Sequence, residues 1–108
     1  MRELYQLLLE AEIPVGHYET DLEEYPYIIY QEVSTSYLWR SGIPTREDTK
    51  VEVIHFAKAE FDPSLERLKS VLLKNKIGLT VATAFYPENK TIVNMLDVTI
   101  SREMEIEP

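Results

Sequence analysis

Residues 49–76 hold a period-two run, a short break and a helical run in close succession, and that order restricts the chain to folds that mix strand and helix. Val51, Val53, His55 and Ala57 alternate with Lys50, Glu52, Ile54 and Phe56, as the two faces of a pleated strand require, and both faces are partly apolar. Asp62-Pro63 then signals a helix start. Asp62 can accept from the unpaired N–H groups of the first turn, and Pro63 stands where its missing donor costs nothing and its fixed φ suits the helix. Leu65, Leu68 and Leu72 recur at i, i+3 and i+7, with Glu66, Arg67, Lys69, Lys74 and Lys76 directed elsewhere. A helix laying a leucine stripe on a sheet is the economical reading, and Gly78 is expected to close it.

The rest of the chain extends this pattern. Leu4, Leu7, Leu8 and Ala11 predict a short amphipathic helix over residues 2–12, stopped by Pro14. Residues 13–24 read as a loop or short edge strand. Tyr25-Pro26-Tyr27-Ile28-Ile29-Tyr30 opens a strand with Pro26 at its entrance, where a lost donor is tolerated. Its three tyrosines are expected to be core or half-buried. The strand runs on through Tyr37-Leu38-Trp39-Arg40 to a turn region at Ser41-Gly42-Ile43-Pro44. Residues 27–40 and 49–59 most simply pair antiparallel, joined by a loop of about eight residues, as a projecting arm. Residues 79–86 and 91–101 flank Pro87-Glu88-Asn89-Lys90 as a second hairpin, with Ile92, Asn94, Leu96, Val98 and Ile100 on its core face. Residues 101–108 read as a flexible tail or an added strand for a neighbour. The expected fold is α+β: a mixed, largely antiparallel four- to five-stranded sheet, two helices packed on one face, and a projecting β-hairpin arm, in a single domain over 1–108.

At 108 residues, 44% hydrophobic and 28% charged, such a domain has a modest core, and a partner chain is one way to cover its remaining apolar surface. Without cysteine there is no disulfide, thiolate metal site or thiol nucleophile. Met1-Arg2-Glu3-Leu4 does not open a signal peptide and no apolar run reaches the roughly 20 residues of a membrane span, so a soluble, unprocessed chain is expected. The net charge of −8 is concentrated at the ends: residues 1–32 carry −7, 33–100 carry +1 and 101–108 carry −2. That surface repels a phosphate backbone and argues against specific nucleic-acid binding.

Catalytic and metal signatures do not emerge. His17 and His55 lie far apart and outside any metal-ligand spacing; His55 reads as a packed, hydrogen-bonded strand residue, and His17 sits near Asp21, Glu23 and Glu24 in a stretch that reads as a solvated loop. Three glycines at 16, 42 and 78 cannot build a phosphate cradle. No cofactor, metal or enzymatic activity is expected. Tyr37-Leu38-Trp39-Arg40 stands out, because Tyr, Trp and Arg are the residue types that anchor interfaces; Arg46 and Lys50 near the same loop could face an acidic neighbouring surface.

The sequence of elements, with Pro26-Tyr27-Ile28-Ile29-Tyr30 before the first long strand, Val51-Glu52-Val53-Ile54-His55-Phe56 as the second and Phe61-Asp62-Pro63-Ser64-Leu65-Glu66-Arg67-Leu68 as break and helix, resembles the small tail-terminator or tail-completion proteins of long-tailed bacteriophages and prophages. Head-tail joining proteins are close in layout. The resemblance implies a structural virion protein at the tail or head-tail junction, present in the host cytoplasm during assembly. It further implies a homo-oligomeric ring, a hexamer, that caps the tail tube and contacts tail-tube and head-tail connector proteins. On that reading Tyr37, Leu38, Trp39, Arg40, Arg46 and Lys50 form an interface, and Glu19, Asp21, Glu23 and Glu24 line an acidic lumen past which DNA slides. The alternative is a small-molecule or peptide-binding α+β regulatory domain.

Overall fold

The computed structural model describes residues 2–17, 25–58 and 62–104. Two helices, α1 (Arg2–Glu10) and α2 (Pro63–Lys74), accompany five strands: β1 (Val15–His17), β2 (Tyr27–Arg40), β3 (Ile43–Ala57), β4 (Leu79–Tyr86) and β5 (Thr91–Glu103). The strands form one sheet in the order β1-β2-β3-β5-β4, antiparallel throughout except for the short parallel β1 on β2. The α+β expectation holds, with five strands. The sheet is long for its width, and the molecule measures 54 × 25 × 23 Å.

Alternation along the strands separates two faces. One carries Ile28, Tyr30, Val51, Val53, Leu96 and Val98, and both helices bury Leu4, Leu8, Leu68 and Leu72 against it in one core. His55 and Asn94 occupy the same face further along, as a cross-strand pair. Each leucine so buried contributes roughly 1.5–3 kcal/mol relative to an exposed one. The Nε of Arg67 on α2 donates to the Ala11 carbonyl at 3.0 Å, fixing one helix against the end of the other.

The ends of α2 follow from local chemistry. Asp62 is the N-cap, its Oδ1 accepting from the Ser64 N–H at 2.8 Å, with Pro63 in the first turn as expected. Its C-terminus corrects the reading of Gly78. Lys76 adopts the left-handed conformation, φ 61°, its N–H reaching the Leu73 carbonyl at 3.0 Å while the Ile77 N–H reaches that of Leu72 at 3.0 Å. This is a Schellman closure with lysine in the glycine position, and Ile77 packs on the core to complete it. The helix stops before Gly78 can take part.

Two further expectations change. The loop of about eight residues after Arg40 is instead a two-residue turn, Ser41-Gly42, with φ of 53° and 76°, and β3 starts at Ile43. Two successive positive φ angles match the twist of a tight hairpin, so the chain reverses at once and 43–48 continue the ladder. Pro44 is tolerated because the β3–β5 ladder starts only at Arg46, which leaves the strand's other side unpaired there. Residues 101–103, read as tail or donated strand, belong to β5 and pair with the chain's own β3, and the Met104 N–H still reaches the Thr45 carbonyl at 2.9 Å. The far end of the hairpin is therefore a three-stranded ribbon.

Candidate functional site

Residues 33–42, at the far end of β2 and its turn, are all exposed, among them Tyr37, Leu38 and Trp39 at 48, 52 and 60%. The sequence brings these side chains together as expected but divides them between faces. A bulge at Val33, between the Glu32 and Ser34 pairs, shifts the alternation, so that Thr35, Tyr37 and Trp39 continue the helix-covered face beyond the helices. Leu38 lies on the opposite face with its cross-strand partner Arg46, and Lys50 lies there opposite Ser34. Arg40 pairs with Ile43 at the turn. Arg46 already serves its own chain, with Nε 3.0 Å from Asp48 Oδ1. Ser101 Oγ donates to the same Oδ1 at 2.7 Å, and that bond, foremost, holds the Asp48 carboxyl below its usual range.

Among the described residues both long margins of the sheet are open. β1 pairs with β2 only at Ile28, Ile29 and Tyr30, so among the described residues nothing pairs with the outer edge of β2 over 33–40. At the other margin β4 pairs with β5 through eight consecutive residues without a bulge, and among the described residues no strand lies outside it. Its sequence, LTVATAFY, contains no charge and no proline, the usual devices that blunt an edge.

The face opposite the helices carries an aromatic cluster in which Tyr25 and Tyr27 are half-buried, within the core or half-buried expectation. Tyr27 and Phe56 stack at 4.7 Å, Tyr25 lies 5.2 Å from Tyr27, and the Lys58 ammonium sits 4.7 Å over the Tyr25 ring. Tyr25, Tyr27 and Phe56, with Ile54, Met95 and Tyr86, line a shallow depression. Burial, then the neighbouring Tyr25, raises the Tyr27 phenol above its usual range. The signal was present in the alternation, since Tyr27 and Phe56 fall on the strand faces opposite Ile28 and His55. Tyr30, by contrast, is buried on the helix side as expected.

His55 is fully buried and bonded at both ring nitrogens. Thr83 Oγ1 donates to Asn94 Oδ1 at 2.8 Å, which leaves the Asn94 amide nitrogen to donate to His55 Nδ1 at 3.2 Å. Nε2 then carries the proton and donates to Ser64 Oγ at 2.7 Å, which makes the serine hydroxyl the acceptor of that bond. Burial holds the imidazole below its usual range, with Asp62 pulling the other way. A serine, a histidine and an asparagine in line resemble a nucleophilic triad, but Ser64 is buried and accepts from the histidine, whereas an activated nucleophile gives its proton to it. The arrangement ties the sheet to α2.

His17 is exposed, stacks on Tyr30 at 4.4 Å and sits 2.9 Å from Glu32 Oε2. Among the described residues no group of three or more His, Cys, Asp or Glu could hold a metal ion, and no helix is long and apolar enough to cross a membrane. The proposed lumen residues Glu19, Asp21, Glu23 and Glu24 lie outside the described residues. No family model matches this sequence, and no curated protein matches it.

Proposed function

We propose that this protein is a structural subunit that assembles with copies of itself into a ring, in the role of a phage or prophage tail terminator or head-tail joining protein. One observation carries the reading: a hairpin end bearing Tyr37, Leu38 and Trp39 in the open, on a part of the sheet that its own helices leave uncovered. Exposed aromatic residues of this kind, grouped on one element, mark surfaces that partners cover. A heterologous contact, in which one patch meets a different patch on the next copy, closes into a ring when its rotation divides the circle. Shape is then the output, and the ring caps a tail tube while offering a surface to the connector proteins of the head. The element order α1-β1-β2-β3-α2-β4-β5 supports the layout resemblance drawn from the sequence. The acidic stretch with Glu19, Asp21, Glu23 and Glu24 takes the role of keeping passing DNA from adhering.

Sedimentation velocity on the full chain tests this. A discrete closed oligomer, six copies on the family resemblance, supports the reading, and a monomer at every concentration removes it. A small-molecule- or peptide-binding regulatory role draws on the aromatic depression around Tyr27 and Phe56. It requires instead a monomer or dimer whose melting temperature rises with ligand.

A further inference from the structure

The two open margins of the sheet match each other. One is β4, eight residues, and the other is residues 33–40 of β2, also eight; they lie at opposite sides of the sheet, and among the described residues no strand pairs with the outer side of either. We infer that β4 of one copy pairs antiparallel with residues 33–40 of the next copy's β2, so that the ring is held by a continuous sheet. This rests on the ring reading above and names the contact that builds it.

Direction, face and length each fit that occupant. With β2 running up, the antiparallel ladders set β3 down, β5 up and β4 down. Rotation about an axis near the strand direction therefore brings the next copy's upward β2 beside a downward β4, and the new pair is antiparallel. Keeping each face continuous admits only alternate registers, and the one that lays residues 79–85 along 33–39 sets Ala82 opposite Ser36, Val81 opposite Tyr37 and Leu79 opposite Trp39. That register places both aromatics against apolar side chains and small residues against small ones, the pairings that stabilise a ladder.

The required offset is also one a closed sheet accommodates. Within a subunit Ala82 is level with Met95, Ile54 and Ile29. From Ile29 to Ser36 the β3 partners move from Ile54 to Asp48, about six residues or about 20 Å along the strand. Crossing from one β2 to the next takes four strand spacings, about 19 Å. Equal rise and width tilt the strands by about 45°, at the upper end of the roughly 35–45° with which sheets close into barrels. A second β4 as the occupant would instead give a two-fold dimer and leave Tyr37 and Trp39 uncovered.

The chain has no cysteine, so thiols can be placed at will. In Ser36→Cys/Ala82→Cys, made in the full chain, the two positions within a copy lie about 14 Å apart across three strand spacings and about 20 Å apart along the strand. A bond inside one copy is out of reach, since disulfides need α-carbons within about 7 Å. Oxidation is expected to give a reducible ladder of covalent multimers that ends at the ring's own size, and no linkage with Ala82→Cys alone. Dimers from Ala82→Cys alone would overturn the pairing in favour of a β4–β4 contact. Unlinked double-variant chains that nevertheless sediment as rings would overturn the edge contact and leave the ring reading standing, whereas a monomer at all concentrations would end both.

Discussion

His55 Nε2 lies 2.7 Å from Ser64 Oγ, with both residues buried, so the central strand is joined to the first turn of α2 by a hydrogen bond inside the core. His55→Leu keeps volume but leaves Ser64 Oγ and the Asn94 amide without their partner. An unsatisfied buried polar group costs roughly 1–3 kcal/mol, so the variant is expected to lose about 2–4 kcal/mol in urea denaturation with an unchanged slope. A loss below about 0.5 kcal/mol would show that the bond contributes little.

The same residue sets a pH dependence. Burial depresses the folded imidazole below the value near 6.5 of an unfolded histidine, so between the two values the unfolded chain binds the extra proton. Stability is full above about pH 6.5, falls as pH drops toward the folded value, and levels below it, with a slope of at most about 1.4 kcal/mol per pH unit. Asp62 acts lower down: although burial raises its carboxyl, the bonds from Ser64, then His55 and Arg67, outweigh this and hold it below the usual range. Its contribution is present above about pH 3.9 and lost as pH falls below that. Stability curves of wild type and His55→Leu between pH 8 and 5 should therefore converge on acidification.

The two ends of α2 give opposite expectations. Asp62→Ala removes the cap and is expected to cost about 1 kcal/mol. Lys76→Gly relieves a left-handed lysine and is expected to add about 0.5–1 kcal/mol, read as a raised denaturation midpoint. A neutral result at Lys76 would mean that the lysine side chain compensates its backbone.

At the hairpin end, Tyr37→Ala/Trp39→Ala should separate assembly from folding. Both side chains are about half exposed, and surface substitutions usually change stability by no more than about 0.5 kcal/mol each. Sedimentation is expected to show the closed oligomer replaced by smaller species, while the urea midpoint of the dissociated chain hardly moves. A variant that keeps its oligomer places the interface elsewhere.

The parts of this fold that were legible are those with local causes. The period-two run at 51–57, the Asp62-Pro63 start and the tip at 87–90 are set by neighbours in sequence, and each appears where expected. The misread parts depended on longer-range context. Gly78 is the obvious helix stop, yet the Ile77 contact with the core fixed the closure two residues earlier, on Lys76. Pro44 argued for a loop, and only the absence of a β5 partner at that level lets it sit in a strand. For the candidate site, Tyr37 to Arg40 stood out by residue type, and all four are exposed. The division of those side chains between two faces was not, because it hinges on the bulge at Val33.

β3 is one strand from Ile43 beside the turn to Ala57, with a register shift against β2 at Thr45, and it is paired on both sides from Arg46 to Phe56. No linker or joint separates the exposed tip from the region that holds His55. A displacement applied at Trp39 is thus carried along about 40 Å of paired strand toward α2, and in the proposed ring a contact at the tips would also set the orientation of the bodies.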